Sequence, residues 1–193
     1  DYRLDSARQT FTLTRFELNL RGLGRLELSL AVDGVTAEAA GAPQSAMGTA
    51  SLRSAALVFE DASLVSRLMT AVATEQKMPP AQQAEMAAGM LAGMTQDFGP
   101  LTKAAVEPLV AFLRDWERPK GALRVTLSPP AKVTAAILGQ ANSPDDVVKA
   151  LGLSVTYGGT PPATPRPAVT AQAAPQAAPA APARLTGLAA WNV

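Results

Sequence analysis

The chain contains no histidine and no cysteine in its 193 residues. Missing imidazoles remove the commonest proton shuttle and transition-metal ligand, and missing thiols remove the strongest side-chain nucleophile. A serine nucleophile would then require a lysine base. No Gly-x-Ser-x-Gly segment and no phosphate-binding loop is present, and Lys103, Lys120, Lys132 and Lys149 sit in no distinguishing context. The expectation is a protein that is not an enzyme and holds neither cofactor nor metal.

Charge is also scarce. Charged residues make up 17% of the chain, and 17 basic against 16 acidic side chains leave a formal net charge of +1. That balance gives no electrostatic footprint for nucleic acid. Aromatic residues are only 5%, so the interior must be aliphatic. No window reaches the roughly 20 consecutive apolar residues of a membrane span, so no transmembrane segment is expected in this chain, and no charged-then-apolar leader opens it. Because the chain begins at Asp1, we expect either a removed leader or an excerpt from something longer. Both fit export, and absence of cysteine fits an oxidising bacterial envelope.

What is present is a change of period along the chain. Tyr2 to Leu4, Phe11 to Leu20 and Leu26 to Val32 read as strands, and in the third Leu26, Leu28, Leu30 and Val32 alternate with Arg25, Glu27, Ser29 and Ala31. Between Leu13 and Phe16 the apolar phase slips by one, which predicts a bulge at Thr14 and Arg15. The small-residue run Ala39 to Ser51 reads as a loop or irregular edge before a strand at Leu52 to Glu60.

Helical spacing takes over at Asp61, a candidate N-cap. Leu64, Leu68 and Val72 form one stripe beside Val65 and Met69, and Ala81 to Gln96 carries a second of Met86, Met90 and Met94. A third pattern, Val106, Leu109, Val110 and Leu113, follows Gly99-Pro100 and contains Pro108, which must begin or kink the helix. Leu123, Val125 and Leu127 alternate as a strand, a short helix is expected around Val133 to Leu138, and Ser143-Pro144-Asp145-Asp146 opens a further helix that Gly152 stops. Leu153, Val155 and Tyr157 form the last strand.

The fold class expected is α+β: a twisted antiparallel sheet of about five or six strands with a cluster of helices packed on one face. It occupies residues 1–158. Residues 159–184 are rich in proline and alanine, with one charge, Arg166, between Thr160 and Ala183, and read as a linker. Residues 185–193 turn apolar, and Leu185, Leu188 and Trp191 are candidates for a partner-binding tail or for the start of a further domain.

Candidate chemistry is thin. Arg21-Gly22-Leu23-Gly24-Arg25 places two arginines beside a Gly-x-Gly, a combination able to hold a phosphate or an anionic lipid head group, but the third glycine and following helix of a nucleotide site are missing, and a hairpin turn is the better reading. The acidic pairs Glu60/Asp61, Asp115/Glu117 and Asp145/Asp146 read as caps and solvated ends. The methionine stripe is the most suggestive feature. Helical spacing makes core packing its default reading, while flexible thioethers also suit an apolar ligand surface. The candidate ligand groove is therefore Met86, Met90 and Met94 with Leu64 and Leu68.

The stretch from Leu57 to Leu68, the Ala/Met-rich helical pair after it and the strand Leu123 to Leu127 before Pro129 resemble exported alphaproteobacterial proteins of the AsmA-like envelope type, over Tyr2 to Tyr157. The resemblance implies an envelope setting and a curved sheet, with no activity attached. Two functions follow as expectations. The first is a non-enzymatic envelope protein, periplasmic or otherwise exported, with an apolar groove for a lipid-like ligand. The second is a structural or assembly module that binds an envelope protein partner through its surface or its apolar tail.

Overall fold

Alternating apolar and polar residues can satisfy a strand only if its two faces meet different surroundings, and the computed structural model, which describes residues 1–36 and 49–159, shows that division across one open antiparallel sheet. The strands are β1 (Tyr2–Asp5), β2 (Thr10–Leu20), β3 (Gly24–Asp33), β4 (Ser51–Asp61), β5 (Leu123–Leu127), β6 (Val133–Thr134) and β7 (Leu153–Tyr157). Their order is β1-β2-β3-β4-β5-β7, and the two-residue β6 pairs with β4 beyond the end of β5. The main path thus has six strands, within the five or six expected, and β6 is a seventh. It occupies the start of the segment expected to be a short helix, which is reduced to α4 (Ala135–Leu138).

The expected bulge is present. Leu13 pairs with Leu30 and Phe16 with Leu28, so Thr14 and Arg15 together oppose Ser29. The extra residue restores phase and keeps Leu13 and Phe16 on one face. A second irregularity between β3 and β4 leaves Arg53 as the extra residue, and its guanidinium bonds Asp33. At the β2–β3 turn Gly24 is needed for space: a Cβ there would lie 2.6 Å from the Glu60 carbonyl oxygen.

Three helices fill the connection from β4 to β5: α1 (Leu64–Glu75), α2 (Pro80–Met94) and α3 (Pro100–Arg114); α5 (Pro144–Leu151) precedes β7. Ser63 rather than Asp61 is the N-cap of α1, although the Asp61 carboxylate still accepts the Val65 N–H at 3.1 Å. α3 starts at Pro100 and holds Pro108 in its interior, where proline supplies no N–H to the carbonyl of the exposed Ala104. α5 is as the sequence predicts, with Ser143 accepting the Asp146 N–H and Gly152 left-handed at φ 55°.

The helices pack on the apolar face of the β4–β5–β7 half of the sheet. Val65, Met69, Ala84 and Phe112 form the buried cluster, and Phe59, Leu123 and Tyr157 meet it from the sheet. The Phe112 ring stands edge-on to both Phe59 and Tyr157, at 6.0 and 5.3 Å. Between helices the buried positions are small: Ala73, Ala84, Ala88 and Ala105. Alanine permits close approach of helix axes, and this choice rotates α2. Its inward face carries Gln83, Ala84 and Ala88, so the methionine stripe faces out. Core packing, the default reading of Met86, Met90 and Met94, is thereby corrected.

Candidate functional site: an open apolar sheet face

The register builds continuous apolar rows across the sheet. One runs Leu18, Leu26, Phe59, Leu123, Tyr157 and the next Phe16, Leu28, Leu57, Val125, Val155, each residue the partner of its neighbours. Because side chains alternate along every strand, these residues share a face. Tyr2 and Leu4 of β1 extend it, paired with Leu13 and Phe11, and the Tyr2 and Phe11 rings stack at 6.4 Å.

The opposite face is polar. Arg15 and Arg25 both bind Glu17 and Glu27, and Arg25 reaches Glu60. A partly exposed network of this kind is worth little in stability, but it identifies the side of the sheet that prefers water.

Helices cover only half of the apolar face. Among the described residues no helix packs extensively on β1, β2 or β3, and Tyr2 is 77% exposed, Phe16 48% and Leu18 41%. Even Leu28 and Leu57, at the centre of the sheet, stay half-buried.

α1 borders the open half. The N–H groups of Ala62, Ser63 and Leu64 all donate to the Leu23 carbonyl at 2.9 to 3.1 Å, and the Ser63 hydroxyl donates to the Gly22 carbonyl. These bonds fix the start of α1 to the β2–β3 turn, so the Arg21 to Arg25 segment is a hairpin turn as expected. Arg25 points to the polar face, and Arg21 does not share its ion pairs.

Of the five groove candidates, Leu64 is half-buried beside this turn, and Leu68 is exposed one helical turn further along α1. Met86, Met90 and Met94 form an outer ridge of α2, with Met90 68% exposed. The concavities lie elsewhere. One cleft of about 400 Å³ opens between α2 and α3, lined by Ala92, Thr95, Gln96, Lys103, Val106 and Glu107, and another of about 400 Å³ lies near Arg53, Pro129 and Lys132. Leu185, Leu188 and Trp191, and most of the Ala39 to Ser51 loop, lie outside the described residues.

The acidic pairs have structural occupations. Asp115 accepts the Tyr157 hydroxyl at 3.0 Å and pairs with Lys120 at 3.0 Å; the Lys120 bond, aided by the tyrosine, holds its carboxyl below the ordinary range against the cost of desolvation. Burial, reinforced by the Asp115 carboxylate, pushes the Tyr157 hydroxyl up. Asp145 does more than favour its own helix. Its carboxylate accepts the Thr102 hydroxyl at 2.6 Å and the N–H groups of Thr102 and Leu101, capping α3 from a distant part of the chain. Among the described residues no group of His, Cys, Asp and Glu side chains is arranged to hold a metal ion.

Those bonds, the Thr102 hydroxyl foremost, lower the Asp145 carboxyl below its ordinary value of 3.8. The folded state therefore binds that proton more weakly than the unfolded chain, and the stabilisation is complete above pH 3.8 and is lost as pH falls through the lowered value. Asp145→Asn is expected to be less stable than the parent at neutral pH, with the gap closing on acidification below 3.8. Urea midpoints measured against pH check this; a gap independent of pH would show that the charge is not what caps α3.

No curated protein and no solved structure matches the chain. A family model described as "Uncharacterized protein" matches residues 17–158. The match starts within β2, after Phe16, and ends just after β7, taking in β3 and the five helices of the described residues. The chain belongs to that family.

Proposed function

We propose that this is a non-enzymatic bacterial envelope protein, periplasmic or otherwise exported, which takes a lipid-like ligand on the open apolar half of its sheet. The observation that carries the reading is the continuous apolar face of β1 to β3, where Phe16, Leu18 and Tyr2 stand exposed while the same rows are covered further along. Soluble monomers rarely leave contiguous apolar patches of this kind uncovered, and those that do use them for binding. An acyl chain laid along β2 and β3 would be desolvated by the sheet on one side and bordered by Leu64 and Leu68 at its end. The resemblance to AsmA-like proteins and the lack of cysteine support the envelope setting, and no helix among the described residues is long and apolar enough to cross a membrane.

The test is titration of the delipidated protein with a fluorescent fatty acyl probe. The parent is expected to bind saturably. The Phe16→Ser/Leu18→Ser variant is expected to bind about tenfold more weakly or worse, since burying one large apolar side chain is worth about 1.5–3 kcal/mol. Its stability should change less, because both side chains are already about half exposed in the free protein. Absence of saturable binding in the parent would defeat this reading.

One observation favours the second reading, a module that binds a protein partner. The ridge of Met86, Met90 and Met94 is exposed on α2, and thioether side chains adapt to varied apolar partners. Native mass spectrometry of material purified from its own source separates the two: bound lipid supports the first, stoichiometric protein the second.

A further inference from the structure

The geometry points to the outer face of α2 as the surface on which two copies of this chain pair, helix against helix about a two-fold axis. The inference rests on the protein-binding reading above and gives that reading its partner.

α2 turns Gln83, Ala84 and Ala88 inward and leaves Met86, Met90 and Met94 outside, 47%, 68% and 65% exposed. The methionines are spaced four residues apart, so they line one inclined ridge of the helix. Three residues on from Met86 and from Met90 lie Gly89 and Gly93, both exposed, which form the neighbouring row. A Cβ built on either glycine would meet nothing within 4 Å. A ridge of long, flexible side chains thus runs beside a groove floored by bare backbone. Glycine inside a helix costs stability relative to alanine, and no described residue fills the space that these two leave.

A ridge and a groove side by side on one helix face fit a copy of themselves. When two helices pack through their four-residue rows, with about 50° between axes, the ridge of each lies in the groove of the other. A two-fold axis then seats Met90 of each copy over the Gly89–Gly93 groove of the other, the small residues let the backbones approach, and the thioethers adapt to the fit. An unrelated partner would need a matching groove of its own; a second copy has one by symmetry. Charge does not oppose the pairing, because Glu85 is the one charged residue of α2 and is paired with Arg114 of α3 at 3.6 Å. Two such faces bury on the order of 1,000 Å², the lower end for a specific interface, which sets the expected dissociation constant in the micromolar range.

The experiment is sedimentation velocity of the full delipidated chain from low micromolar to several hundred micromolar, where the parent is expected to pass from monomer to dimer. Gly89→Gln/Gly93→Gln fills the groove with uncharged, helix-forming side chains and is expected to weaken the dimer about tenfold or more. Its melting temperature in dilute solution is expected to stay level or rise, because a Cβ has room there in the single chain and glutamine favours helix over glycine. Phe16→Ser/Leu18→Ser, which alters the open sheet face, is expected to dimerise like the parent. The chain has no cysteine, so Met90→Cys supplies a unique thiol. That thiol is expected to link to its copy through a short bismaleimide, whereas a thiol placed on the exposed Thr156 of β7 by Thr156→Cys is not. A parent that stays monomeric over the whole range would overturn the pairing of copies, leaving the protein-binding reading to the native mass spectrometry above. A dimer that the glycine variant leaves unchanged, or that is lost in Phe16→Ser/Leu18→Ser, would put the contact on another surface and overturn the proposal.

Discussion

Phe112→Ala is expected to lower the unfolding free energy by about 3–5 kcal/mol, the range for truncating a buried phenylalanine. Among the described residues Phe112 is the one aromatic side chain that is buried, 6% exposed, and it links the helical layer to the sheet through Phe59 on β4 and Tyr157 on β7. The other buried apolar side chains are four alanines with Val65, Met69, Val110 and Val133, and the larger neighbours Phe59, Leu123 and Tyr157 are fixed in the sheet, so the space is expected to close only in part. The loss combines apolar transfer, cavity formation and two edge-on ring contacts. Urea denaturation followed by circular dichroism checks it. A loss below about 1 kcal/mol would mean that the helices are not held to the sheet through this residue.

Ala88→Leu is expected to cost about 1–3 kcal/mol, because a fully buried alanine, 0% exposed, has no room for three more carbons. Ala88 lies on the inward face of α2 with Ala84, where α2 meets its neighbouring helices. Leucine there has to displace a helix or adopt a strained rotamer. The comparison is Met90→Leu, a similar side chain on the exposed ridge of the same helix, expected to change stability by less than about 0.5 kcal/mol. Thermal and urea melts of both variants check the pair. If Met90→Leu proved the more damaging, α2 would be rotated with its methionines inward.

The strands were legible because their alternation has a period of two, which places the apolar residues of each on one face. The alternation in β3 shows this residue by residue, and the phase slip at Thr14 and Arg15 located the bulge from the order of apolar residues. The termini of α5 were equally legible, since Ser143, Pro144 and Gly152 satisfy backbone groups locally. The polar roles of Asp115 and Asp145 were not. Their partners Tyr157 and Thr102 are 42 and 43 residues away, and only the fold brings them into hydrogen-bond range.

The candidate site was legible in its ingredients and not in its location. Helical spacing gathered Leu64 with Leu68, and Met86 with Met90 and Met94, but α1 and α2 each carry apolar residues on more than one face, and periodicity does not rank those faces. Tertiary packing ranked them by size, turning Ala84 and Ala88 inward because small side chains let helices approach closely, and leaving the methionines outside. The amphipathic sheet, by contrast, was determined by the sequence itself: hydrogen-bonded pairing carries each strand's alternation across to its neighbour and sums it into one apolar face. How much of that face would be covered was decided by the tertiary structure. Three helices inserted between β4 and β5 fold back on the strands that flank them, Phe59, Leu123 and Tyr157 receive them, and the same rows continue uncovered into β2 and β3.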